Sequence, residues 1–409
     1  MSGRRKLPDM TGMNPQGPPG VLYRDAAMTD ARSDRLRLGV SVLVRDGRIA
    51  WIRPSDDEGE RPRGCEVVDA GGCTIVPGMV DGHSHLTLPG GSHWIDRGGD
   101  STEALLAVAE ANGELMHRSG VRWARDVGSP RRLVDGREAA LGIGVRDRWR
   151  GRRDRPYVRA AGTWVTRAGT LPAGLSVEAG DGAGLLAAAM GQLDDGADFI
   201  KLYLDGPDPQ QAPWSAAEVA AVVAAARERG AKVTAHAGGL SGARVCAAAG
   251  VDSIEHGFEL DADVAREMAE RGCTLVTTIT VLKSWLTFAT TTAIPRFTEA
   301  SSRAAIAGRL AVAKESALLA HRAGVAVVGG TDFGGGSARA NQLPWEVECL
   351  VEAGLEPWEA LASVTWRAGE LLGEPSAGVV AEGGPADFSL VHGDPLSDPA
   401  ALWRVWRVA

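Results

Sequence analysis

The chain reads as an α/β protein, a (β/α)8 TIM barrel carrying a small β-sandwich domain built from both chain ends. Three observations predict this. Between residues 78 and 375, short apolar strand-like runs alternate with longer helical patterns, the order expected of a parallel sheet whose strands are joined by helices. Near both ends, apolar and polar residues instead alternate every two positions between Asp-Gly and Gly-Gly turns. Finally, His83, His85, Lys201, His236, His256 and Asp332 each stand in or just beyond an apolar run, which in a barrel gathers them on one face.

Taken in order, residues 1–20 are rich in Pro, Gly and Met without periodicity and read as a loose arm. RLRLGVSVLVRDGRIAWIRP and GCEVVDAGGCTIVPG follow as short antiparallel strands, and ADFSLVHGDPL with ALWRVWRVA repeats the two-residue period at the other end. Segments 21–77 and 376–409 are therefore expected to share one domain, with the barrel over 78–375. Barrel strands are expected at 75–80, 122–127, 157–165, 198–203, 232–237, 252–256, 274–279 and 325–331, with helices such as 101–119, 215–229, 261–271 and 301–323 between them. In the second of these helices Ser215 is the N-cap, Glu218 completes a capping box and Gly230 ends the run. GLEPWEALASVTWRAGELLG, near 354–373, reads as an amphipathic helix after the barrel. The stretch 281–300, apolar and Thr-rich, is a candidate lid with Trp285 and Phe288 as its contact residues.

A net charge of −8 leaves no broad basic surface, so a nucleic-acid partner is not expected and a small-molecule or peptide substrate is. The basic N-terminus lacks the apolar stretch of a signal peptide, and no segment approaches a membrane span, so no membrane partner and a cytoplasmic location are expected. A homo-oligomer stays open. The five cysteines are scattered without a C-x-x-C pair, which argues against a disulfide framework or a thiolate zinc site.

His83 and His85 stand one residue apart after IVPGMVDG, and a two-residue period projects both from one face, where two imidazoles can share a metal. An H-x-H pair alone carries little weight; the ordered set of six residues carries far more. Lys201 is its most telling member. The chain uses only five lysines among 44 basic residues, yet places one inside the apolar run DFIKLY, where a bare ammonium is costly to bury. His93 and His117 lack a strand-end context, and Glu346 and Glu348 open a helix where a carboxylate gains from the helix dipole alone.

The motifs PGMVDGHSH, FIKLY, TAHA, IEHG and GTDFG, together with VEAGLEPWEALASVTWRAGELLG and GGPADFSLVHGDPL, resemble the amidohydrolase superfamily, in its imidazolonepropionase-like and prolidase-like branch of metal-dependent hydrolases. The resemblance covers almost the whole chain. It implies two divalent metal ions, zinc by the imidazole and carboxylate donor set, with His83, His85 and Asp332 on the first and His236 and His256 on the second. A carboxylated Lys201 would bridge them, turning a destabilising buried cation into an anion, a role arginine cannot fill. The implied chemistry is attack of a metal-bridging hydroxide on an amide carbon, with Asp332 as the catalytic base.

Two departures from the family pattern shape the expectation. Deaminating relatives often place a glutamate three residues after the fifth-strand histidine, where this chain has Gly239, and this favours hydrolysis of a C–N bond in a peptide or acylated amino acid. After the third strand, VTRAGTLP puts Leu171 near the position of an expected histidine, so substrate must be oriented differently; Arg167 for a substrate carboxylate and Tyr203 for a developing oxyanion are the candidates. The arginine-rich, Ala/Gly-rich composition also fits peptide trimming in natural-product biosynthesis, as in the bottromycin-type follower-peptide amidohydrolases. The alternatives are a hydrolase of a small cyclic amide, imidazolone or lactone, and a noncatalytic amidohydrolase-like scaffold.

Overall fold

The computed structural model describes residues 20–59, 64–134, 136–172, 174–208 and 210–409, so nearly all of the segment read as a loose arm lies outside the described residues. Eight parallel strands make the barrel, in order Met79–Ser84, Val121–Asp126, Tyr157–Ala160, Phe199–Tyr203, Lys232–Ala237, Ser253–His256, Thr274–Thr277 and Val327–Gly329. Single bridges close the ring, Ala161 to Phe199 between the third and fourth strands and Ser84 to Phe333 beyond the eighth. A short strand, Val165–Arg167, also pairs with Leu202 in the loop after the third strand. Helices connect the strands, and the Ser215–Glu218 capping box is present with both of its hydrogen bonds at the start of Ala216–Glu228.

Strands from both chain ends form a separate seven-stranded sheet. Its centre is Val21–Met28, antiparallel to Arg37–Arg45 on one side. On the other side its first half pairs with Glu66–Asp69 and its last two residues with Cys73–Pro77, a change of partner that follows the positive φ of Asp25. Phe388–His392 and Val405–Val408 complete the edge. The alternation seen in the sequence buries Tyr23, Val40, Val42, Ile75, Phe388 and Leu390 on a shared core, where Tyr23 meets Phe388 edge to face at 5.2 Å.

The first barrel strand starts four residues later than expected at 75–80. One apolar run, CTIVPGMV, holds the whole of a terminal-sheet strand, Cys73–Pro77, and the start of a barrel strand, and the chain changes sheet at Gly78. That residue must be bare, because a Cβ there would lie 2.3 Å from Arg122 Cγ. The expected helix near 354–373 is two helices, Pro357–Ser363 and Trp366–Leu372, divided where the Thr365 hydroxyl bonds back to the Leu361 carbonyl. The 281–300 stretch lies in helix Ile279–Leu286 and short turns. Glu346, buried, anchors that helix by accepting from the Ile279 and Thr280 N–H groups at 3.0 and 2.7 Å, so its role is structural. Among the described residues no helix is long and apolar enough to cross a membrane.

One ion pair ties the terminal sheet to the barrel. Arg122 of the second strand and Asp387, both buried, meet at 3.0 Å. Removing one partner leaves the other charge uncompensated, so Asp387→Ala is expected to destabilise the protein by about 3–5 kcal/mol. A denaturation midpoint unchanged from the wild type would show that this pair does not hold the two sheets together.

Candidate metal centre

Four imidazoles line up along the strand ends, His85, His83, His256 and His236, with successive ring centroids 5.3, 4.7 and 4.4 Å apart. Each spends one ring nitrogen on an outer partner. His83 Nδ1 meets Glu255 Oε2 at 2.6 Å, His85 Nδ1 the Gly128 carbonyl at 2.7 Å, and His256 Nδ1 the Thr278 hydroxyl at 2.7 Å. His236 is turned the other way, with Nε2 at 3.0 Å from Asp205 Oδ2 and its face stacked on Tyr203 at 3.8 Å. The remaining nitrogens are therefore Nε2 of His83, His85 and His256 and Nδ1 of His236, an orientation that outer hydrogen bonds commonly impose on metal ligands.

Asp332 stands three residues beyond the eighth strand, its Oδ1 3.4 Å from His83 Nε2 and 3.2 Å from His85 Nε2. One ligand atom from each of His83, His256 and Asp332 falls within 4.8 Å of the others, a spacing that suits a single cation. Burial would raise the Asp332 pKa, but His83, His85 and His256 outweigh it and hold the carboxyl well below its usual range. Burial and the neighbouring rings push His256 well below the ordinary histidine value, so its nitrogen is neutral and able to coordinate. His256 and Asp332 are also two of the few non-glycine residues with positive φ, at 73° and 51°, backbone strain of the kind that gathers at functional sites.

Lys201 is buried, and its Nζ has no hydrogen-bond partner among the described residues. Burial is the main cause of its pKa falling to about 8, against the opposing pull of Glu255. The amine is thus left unpaired in the interior, a costly arrangement, with His83 and His256 within its electrostatic reach.

Several residues of the centre are absent from the sequence-derived set. Glu255 takes His83, Arg125 at 2.8 Å, the Ser253 hydroxyl at 3.0 Å and the Thr234 hydroxyl. Asp205 takes His236 and the N–H groups of Gly238 and Gly239. Asp81 accepts from the Thr331 N–H and hydroxyl, and so fixes the loop that carries Asp332. The available signal was a carboxylate in an apolar run within two residues of a site histidine, which Glu255 and Asp81 both show. The FGGG run was another: a Cβ at Gly335 would lie 2.2 Å from His85 Cδ2, so only glycine lets that loop close on the ring.

The other candidates separate. Tyr203 stacks on His236, and burial together with Asp205 raises its phenol pKa. Arg167 lies 5.0 Å over the Trp214 ring, turned onto that residue. Leu171 joins Leu88, Trp164 and Tyr203 in an apolar wall, and Trp164 sits 5.1 Å from His85.

The model of the amidohydrolase family matches residues 74–408. An uncharacterized protein of Mycobacterium tuberculosis is 32% identical over 383 residues, covering 91% of this chain and 94% of its own length. Ochratoxinase of Aspergillus niger is 29% identical over 53% of this chain and 46% of its own sequence. Among solved structures, a Xaa-Pro dipeptidase with methionine in its active site superposes with a TM-score of 0.80 at 24% identity, covering 94% of this chain and 97% of the other. A prolidase complexed with N-methylphosphonate-L-proline gives 0.79 at 22% identity, covering 95% and 98%.

The outer partner of His83 provides a test. Glu255→Gln keeps the shape of the side chain but removes the charge that orients the ring, and is expected to weaken divalent-metal affinity by about 10–100-fold. Metal titration of the apoprotein measures this, and an affinity equal to wild type would show that Glu255 does not orient a ligand.

Proposed function

The chain belongs to the amidohydrolase family, whose members are hydrolases acting on C–N bonds, and from that premise we propose a binuclear metal-dependent enzyme that cuts an amide in a peptide or an acylated amino acid. The observation that carries this reading is the set of four imidazoles, each with one nitrogen committed outward, gathered with an ionised Asp332 and a partnerless Lys201. His83, His85 and Asp332 would hold one ion and His236 and His256 a second, with a carboxylated Lys201 serving both; His256, within 4.8 Å of His83 and Asp332, would stand where the two sets meet. Zinc suits these donors. When bound, the ions would supply Lewis acidity toward the carbonyl and lower the pKa of water.

The chain's own groups account for the rest of the chemistry. With its pKa near 8, the Lys201 amine is partly neutral at cellular pH and can add to carbon dioxide, losing a proton as the carbamate forms. Asp332, held ionised by three histidines, can take a proton from the attacking water and return it to the leaving nitrogen. Tyr203 stays protonated and can donate to an oxyanion. At Gly239 no side chain competes as a general acid, and its N–H is spent on Asp205. The Xaa-Pro dipeptidase and prolidase among the solved neighbours support a peptide-like substrate.

Two variants test the roles. Asp332→Asn should retain most of its metal while kcat falls by about 100-fold or more, since the proton acceptor is gone and part of the ligation survives; metal analysis beside steady-state kinetics checks both halves, and near-normal turnover would refute the assignment. Lys201→Ala should be inactive and regain activity with added acetate or propionate, which can occupy the bridging place. Full activity without added acid would exclude a carbamate.

A further inference from the structure

Beyond the metal centre, two arginines stand at the site's edge with no hydrogen-bond or ion-pair partner among the described residues. Arg309, on helix Ala300–Arg322, lies 5.1 Å over the Phe258 ring, and Phe258 in turn packs 5.5 Å from His256. A methyl group placed on Gly238, two residues after His236, would be 3.4 Å from Arg309 Nη2. The guanidinium is thus beside the strand ends that carry His236 and His256. Arg296 lies 4.1 Å over Trp285, which stacks on Trp94 at 5.8 Å, and it lines a cleft of about 270 Å³ with Trp94 and Phe297. Trp285 and Phe258 belong to one apolar cluster with Leu282, Leu310 and Ala313, so the two arginines stand over the same apolar wall beside the imidazoles.

Both side chains are exposed, and in a chain this rich in arginine a solvated guanidinium is the ordinary case. Arg309 and Arg296 differ in place, since both stand over the apolar cluster whose Phe258 packs against His256. Each is stacked on an aromatic ring, which uses the face of the guanidinium and leaves its in-plane N–H groups unspent and oriented for a carboxylate. Two acids close by are engaged elsewhere: Asp205 with His236 and two backbone N–H groups, and Asp96 with His93 at 3.3 Å. Arg303, between the two in sequence, instead donates to the Leu286 carbonyl at 3.1 Å. Although Arg296 is exposed overall, packing against Trp285 shields its guanidinium in part, and this, then the charge of Arg309, lower its pKa, so a bound anion would relieve a repulsion already present.

Resting on the hydrolase reading above, we infer that Arg309 and Arg296 together select a substrate bearing two neighbouring carboxylates. In a peptide or an acylated amino acid that arrangement belongs to an acidic C-terminal residue, whose α- and side-chain carboxylates are a few bonds apart. The substrate class is then a dipeptide ending in Glu or Asp, or an N-acylated form of either. Arg309, the nearer to the imidazoles, takes one carboxylate and Arg296 the other, in bidentate geometry.

Calorimetry with glutarate and with its neutral analogue glutaramide tests the arginines without any turnover. The metal-loaded protein should bind glutarate about tenfold or more tightly than glutaramide, and Arg309→Met should weaken glutarate binding by a similar factor. Glutarate binding that is undetectable, or unchanged in both Arg309→Met and Arg296→Met, would overturn the inference. Kinetics separate it from the reading it rests on. Wild type should prefer Ala-Glu over Ala-Gln by about tenfold in kcat/KM, with the ratio falling toward one in Arg309→Met. Peptide hydrolysis without that preference sinks the arginine pair and leaves the hydrolase reading standing. Arginine-dependent glutarate binding with no amide hydrolysed does the reverse.

Discussion

The centre depends on one buried carboxylate. Glu255 has no exposed surface, and burial works against its charge, yet Arg125, Lys201 and His83 together keep it well below the ordinary glutamate range. It joins the second strand through Arg125, the fifth through Thr234 and the first through His83, while its own strand places the adjacent His256. A charge in the barrel interior is tolerable only when its lone pairs are filled, and here the partners come from four different strands. The constraint that makes the charge affordable is therefore the same one that sets the relative height and orientation of the rings.

Ring orientation follows the same logic around the barrel. Every imidazole has an outer acceptor or polar partner on a different element, so no ligand nitrogen relies on its rotamer alone. Close approach is achieved by removing side chains. A Cβ at Gly330 would lie 2.5 Å from the His83 backbone nitrogen, and one at Gly335 would strike the His85 ring. The strained residues lie where the backbone must turn to aim a side chain inward, His256 at the last position of its strand and Asp332 in the loop three residues past its own.

The residues legible in the sequence were those whose chemistry conflicts with their surroundings. A histidine, lysine or aspartate in an apolar run stands out because burying it without purpose is unfavourable, and the strand periods around it locate the run in the fold. Less was legible where the signal is a relation between distant positions. Asp205 looks like a loop residue until the chain folds it against the Gly238 and Gly239 N–H groups. The change of sheet at Gly78 is hidden because both flanking strands are apolar. Arg167 sits in the loop where sequence order suggested a substrate carboxylate, and only folding shows that a tryptophan from a later connection lies under its guanidinium. Arg309 lies in a helix 53 positions beyond His256 with no motif around it, and only folding brings it beside Phe258.

Lys201 and Glu255 together show how the barrel interior holds an amine that no carboxylate neutralises by contact. Glu255 favours the lysine's charged form, but burial dominates, and the amine settles at about 8. Were Lys201 simply the counter-ion of Glu255, its Nζ would be expected within bonding distance of that carboxylate; Arg125 occupies the place instead, and Nζ is left without a partner. The carboxylate is thus satisfied without the lysine. An amine buried without a hydrogen-bond partner and displaced from its nearest acid by Arg125 is the observation on which the proposed carbamate rests.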